Sequence, residues 1–107
     1  MNEVEKMYEN AGVNCKPNYV YNKVPILSGL KYPPFTAEKQ LELIKWLAKK
    51  DCMYKLTYER DFLWCSQLEW QSSFCYESFE ESLANLINTI WQDLTEEERK
   101  QIKEILK

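Results

Sequence analysis

Residues 52–76, CMYKLTYERDFLWCSQLEWQSSFCY, decide the fold. Cys52, Tyr54, Leu56 and Tyr58 alternate with Met53, Lys55 and Thr57, the period-two pattern of a half-buried strand. Glu59, Arg60 and Asp61 form a polar turn. Phe62, Trp64, Leu68 and Trp70 then alternate with Leu63, Cys65, Gln67 and Glu69. Gln71, Ser72 and Ser73 make a second turn before a strand bearing Phe74 and Tyr76. Three short strands joined by tight polar turns predict an antiparallel meander with one strongly aromatic face. The other face carries Met53, Lys55, Thr57, Gln67, Glu69 and Glu77, a mixture suited to water or to a partner.

Downstream, Ser78-Phe79-Glu80-Glu81 reads as a capping box, in which hydroxyl and carboxylate each satisfy a free backbone N–H. The helix it opens, expected over 79–94, carries Phe79, Leu83, Leu86, Ile87, Ile90 and Leu94 at helical spacing. Thr95-Glu96-Glu97-Glu98 is a second capping box, opening a last helix with Ile102, Ile105 and Leu106 on one side.

Upstream, Thr36 is a good N-cap and Glu38 suits the positive end of a helix running from Ala37 to Lys50. Leu41, Ile44, Leu47 and Ala48 predict its core stripe, widened by Leu43 and Trp46. Residues 3–11 predict a short helix stopped by Gly12. Between them, Pro17, Pro25, Pro33 and Pro34 forbid regular helix, yet Tyr19, Val20, Tyr21, Val24, Ile26, Leu27 and Leu30 are too apolar for a bare linker. An extended arm is expected there, packed on the body or on a second copy through Tyr19, Tyr21, Ile26 and Leu27.

The predicted architecture is α+β: a meander of two to three strands packed against two to three helices, with an extended N-terminal arm. Residues 1–35 hold the short helix and arm, and 36–107 the compact part of a single domain. Both long helices, 37–50 and 79–94, are expected to lie across the aromatic face.

Composition narrows the chemistry. The 107 residues include 2 glycines, too few for a glycine-rich phosphate loop or dinucleotide fingerprint. Histidine is absent, which removes Ser-His-Asp and Cys-His catalysis, histidine-ligated zinc and the commonest general base. No run approaches a membrane span, and the acidic N-terminus is unlike a signal peptide, so a cytoplasmic location with reduced thiols is expected. The net charge of −3 is uneven: residues 1–58 hold 9 lysines against 6 acids, and 59–107 hold 5 bases against 11 acids. No concentrated basic stripe for nucleic acid results.

Cys15, Cys52, Cys65 and Cys75 lack the close pair of a structural zinc site, so no metal and no cofactor is expected. Cys65 and Cys75 fall on one nominal sheet face. They would be cross-strand neighbours in a hairpin centred near Trp70, but the turn signal at 71–73 lies later, and no disulfide is assigned. The carboxylates Glu80, Glu81 and Glu96 to Glu98 belong to helix first turns. Eight aromatic residues between Tyr54 and Phe79, and 4 tryptophans in all, exceed what a core this small requires. Candidate binding residues are therefore Trp46, Trp64, Trp70, Tyr54, Tyr76 and Arg60, with Trp91 as a further indole expected at an interface or cleft, since a body this small does not readily bury four.

The stretch Tyr32-Pro33-Pro34-Phe35-Thr36-Ala37-Glu38-Lys39-Gln40-Leu41-Glu42-Leu43-Ile44-Lys45-Trp46-Leu47, with Phe79–Ile87 and Leu94–Arg99 behind it, resembles small uncharacterised proteins of phages and prophages of Gram-positive bacteria. The likeness spans roughly residues 30–107 and rests on structural motifs. Some relatives carry a cysteine-rich N-terminal region, of which this chain has only Cys15. The resemblance implies a non-enzymatic accessory factor that binds and inhibits or redirects a host component, as an anti-defence protein would. The expected partners are a host protein and further copies of the chain, and neither nucleic acid nor membrane. The alternative is a nucleotide-signal binder using aromatic stacking with lysines or Arg60.

Overall fold

The computed structural model describes residues 2–14, 19–21, 24–26, 32–50, 54–59, 63–68 and 74–107. In chain order they form helix α1 (Glu3–Ala11), strands β1 (Tyr19–Tyr21) and β2 (Val24–Ile26), helix α2 (Ala37–Lys49), strands β3 (Tyr54–Glu59), β4 (Leu63–Leu68) and β5 (Phe74–Tyr76), helix α3 (Phe79–Ile90), a 3₁₀ turn (Trp91–Asp93) and helix α4 (Glu96–Leu106). The fold is α+β, with four helices and a three-stranded antiparallel sheet in the order β3-β4-β5. No helix among the described residues is long and apolar enough to cross a membrane.

The sheet register follows the alternation of the sequence. Tyr54 pairs with Leu68, Leu56 with Ser66 and Tyr58 with Trp64. On the other side of β4, Trp64 pairs with Tyr76, Cys65 with Cys75 and Ser66 with Phe74. The rings thus share one face, and α3 lies across it. Two buried serines fasten the contact: Ser82 Oγ donates to the Trp64 carbonyl at 2.6 Å, and Asn85 Nδ2 donates to Ser66 Oγ at 2.9 Å. Each gives a buried polar group the partner it requires in a dry interface.

Behind α3 sits the second half of the core. Helix α1 packs along α3 and also meets α4, while α2 packs on α4. Met7, Tyr8, Leu43, Leu47, Leu83, Leu86, Ile87, Ile102 and Leu106 are fully buried together. Asn88 Nδ2 adds a polar tie, donating to the Glu3 carbonyl at 2.9 Å and to its carboxylate at 2.8 Å. The segment before α2 folds onto α1: Tyr32 stacks on Tyr8 with ring centroids 5.5 Å apart, Phe35 meets Tyr8 edge-on at 6.2 Å, and the Tyr32 hydroxyl donates to Glu9.

The helix ends explain why the helices form where they do. Asn2, Thr36, Ser78 and Thr95 each accept a first-turn backbone N–H, and Gly12 closes α1 at φ 70°, a left-handed position that suits glycine. Only Thr95 completes a full capping box, its own N–H donating back to Glu98 at 3.0 Å. At Ser78 the hydroxyl half alone forms, which corrects the box expected there.

Three further expectations are corrected. Helix α2 does not cross the sheet; its partner is α4, so the aromatic face belongs to α3. Its buried stripe is Leu43 and Leu47, while Ala48 is exposed and Leu41 is 51% exposed. A broad apolar arc leaves the inward direction open; here it is set by burial of Leu43 and Leu47, with Trp46 Nε1 donating to Gln101 of α4 at 2.8 Å beside them. Finally, the helix expected to reach residue 94 ends at Ile90. The 3₁₀ turn follows, with Arg99 donating to the Trp91 carbonyl at 3.2 Å and 3.0 Å, which satisfies a carbonyl freed at the helix end.

In the expected arm, β1 and β2 pair antiparallel, Tyr19 with Ile26, Val20 with Pro25 and Tyr21 with Val24. The arm is thus partly a two-stranded ladder rather than a single extended run. Leu27 lies outside the described residues.

Candidate functional site: an aromatic ledge

At the end of the sheet where α3 begins, one cross-strand row reads Tyr58, Trp64, Tyr76, with Phe74 one step along β5. Strands are spaced about 4.8 Å apart, so the row spans roughly 10 Å. The Trp64 ring lies between two others: Tyr58 at 5.0 Å, tilted by 51°, and Phe79 at 5.1 Å, edge-on at 75°. Such offset and edge contacts suit aromatic quadrupoles and hold the indole in place. Trp64 and Tyr76 are half-buried, whereas the flanking Tyr58 and Phe74 are 53% and 52% exposed. Together they form a ledge of half-buried central rings with open rings at either side.

The ledge borders on acids. Burial pushes the Tyr76 phenol above its ordinary range, and the nearby carboxylates Glu3 and Glu81 push it further in the same direction. Both effects disfavour the phenolate, so Tyr76 offers a neutral hydroxyl at neutral pH. Glu80 and Glu81 occupy the first turn of α3 beside Phe79.

The sequence-derived candidates divide accordingly. Trp64 and Tyr76 lie on the ledge. Tyr54 shares their face but sits half-buried at the far end, opposite Leu68. Trp46 is elsewhere: its N–H is used by Gln101, and Lys50, ion-paired with Glu98, lies 5.9 Å from its ring centroid. It lines a hollow of about 340 Å³ with Glu42, Lys45, Lys49 and Ile105, between α2 and α4. Trp91 is 7% exposed beneath the Arg99 guanidinium, which stands 5.5 Å over its ring; it serves the core rather than the interface or cleft expected of it. Trp70 and Arg60 lie outside the described residues. Phe74 and Tyr58 are the members that sequence reasoning passed over, although both belong to the alternating aromatic face. Both lie on the outer strands β3 and β5, and the strand order that exposes them has no signal of its own in the alternation.

Cys65 and Cys75 form a disulfide, with Cα atoms 4.0 Å apart. This corrects the expectation of free thiols at these positions. The register centres the β4–β5 connection at residue 70 rather than at the polar run 71–73, and that places the two cysteines directly opposite. Among the described residues, no three Cys, Asp or Glu side chains gather as metal ligands.

No protein family, curated protein or solved structure matches this chain.

Proposed function

We propose that the chain is a non-enzymatic interaction protein, of the phage accessory kind its sequence resembles, which docks a host protein on the aromatic ledge and thereby inhibits or redirects it. The observation that carries this reading is the pair of open rings, Tyr58 and Phe74, flanking the half-buried Tyr76 and a Trp64 held between Tyr58 and Phe79. Anchors of interfaces are rings of this type, held rigid before contact so that little rotamer entropy is lost on binding. The acids beside the ledge favour a partner that brings lysine or arginine over the rings.

The same acids disfavour the alternative, a nucleotide-signal binder, since phosphate would approach Glu3 and Glu81. Two measurements separate the readings. Immobilised chain is exposed to lysate of a Gram-positive host, beside Tyr58→Ala and Phe74→Ala chains. A partner held by the natural chain and lost with either ring removed supports docking on the ledge; retention by both variants overturns it. A thermal-shift series with nucleotides runs in parallel. A true ligand at a hundred times its Kd adds about 2.7 kcal/mol, and such a shift would favour the small-molecule reading instead.

A further inference from the structure

The disulfide has two unlike ends. The row Thr57, Cys65, Cys75 crosses the sheet on the side turned away from α3. Cys65 lies on the central strand, with β3 on one side and β5 on the other, and is 5% exposed. Cys75 lies on β5, the last strand of the order, and is exposed. Thiol–disulfide exchange depends on which sulfur a thiolate can reach.

We propose that Cys75 is a thiol-exchange site, the sulfur at which a low-molecular-weight thiol enters the bridge. An incoming thiolate RS⁻ bonds to Cys75 Sγ. The Sγ–Sγ bond breaks, its electron pair leaves on Cys65 Sγ, and that sulfur takes a proton from solvent. A second thiolate then attacks the external sulfur of the mixed disulfide, releasing RSSR and the Cys75 thiolate. Two external thiols are oxidised to one disulfide, and the protein bridge gains two electrons.

The ladder shapes the kinetics of these steps. Backbone pairing on either side of Cys75 keeps the two cysteines opposite each other after the bond opens. Cys65 is therefore placed to expel a monothiol from Cys75, so the mixed disulfide is transient in the natural chain and durable once Cys65 is removed. Strand β5 also carries Phe74 and Tyr76, so the exchange acts on the strand that supplies half of the ledge. The exchange itself takes place whether or not the ledge binds a protein.

The test uses the full chain, oxidised in air, with glutathione as the probe. Reaction with reduced glutathione is quenched by acid, free thiols are alkylated, and cleavage after Glu69 separates the two cysteines for mass analysis. The natural chain should yield alkylated Cys65 with glutathione on Cys75, at about tenfold or greater excess over the reverse. Cys65→Ser with oxidised glutathione should hold a stable adduct on Cys75. In Cys75→Ser, Cys65 should react at least about tenfold more slowly, with far-UV circular dichroism confirming that both variants fold. Equal labelling, entry at Cys65, or alkylation of both Cys65 and Cys75 in the air-oxidised chain before glutathione is added would each overturn the assignment.

Discussion

Glu98 shows how much one side chain can join. It accepts the Thr95 N–H to cap α4, and its carboxylate pairs with Lys50 at the end of α2. The Lys50 hydrogen bond and then the Thr95 N–H hold its carboxyl below the ordinary glutamate range. A carboxyl depressed in the folded state favours folding fully above its unfolded-state pKa, and that contribution disappears as pH falls through the lower folded value. Urea midpoints should therefore decline on acidification through the carboxylate range, and Glu98→Gln should flatten part of that decline. Identical acid limbs in the two chains would contradict this role. Thr95→Ala should cost about 1 kcal/mol at neutral pH in the same assay. The cap was legible from the spacing of Thr95 and Glu98 alone. Lys50 was not, because it is 48 positions distant and nothing local in either segment refers to the other.

Strand β5 has only three residues, and such an edge strand has few backbone bonds of its own. The Cys65–Cys75 bond closes a loop of separation 10 around the connection to β4. Loop-closure entropy for that size corresponds to about 3 kcal/mol. The Cys65→Ser/Cys75→Ser double variant should lose roughly that amount in urea unfolding, whereas a loss under about 0.5 kcal/mol, the scale of a bland surface change, would mean that β5 is held by the ladder and by α3. The alternation of Tyr54, Leu56, Tyr58 and Trp64 announced the strands and their ring face, because side chains on a strand repeat every second residue. The register was not announced. Shifting the hairpin centre from residue 70 toward 71–73 changes which residues are opposite, and the polar run there argued for the wrong centre. With the register went the disulfide, and with it the distinction between an inner and an outer sulfur.

Across the whole molecule the packing runs from the sheet to α3, from α3 to α1, from α1 to α4 and from α4 to α2. Each helix could be located from a cap or its apolar spacing, α3 with its end read four residues too far, but an amphipathic arc says only that a helix has an inner side, not which neighbour covers it. Hence α2 was expected on the sheet and is found on α4, and Trp46 serves that contact rather than the ledge. The position of α1 is the more consequential one: Met7 and Tyr8 are as buried as Leu83 or Ile87. Met7→Ala should cost about 2–5 kcal/mol and lower the melting of the whole chain as one transition; a change under about 1 kcal/mol would mark α1 as peripheral. The link between Glu3 and Asn88 spans 85 positions. A ribosome adding roughly 5–20 residues per second needs about 4–17 s to travel that far. Throughout that interval the nascent first helix carries its methionine and tyrosine bare, a natural target for chaperones that hold greasy segments until synthesis catches up.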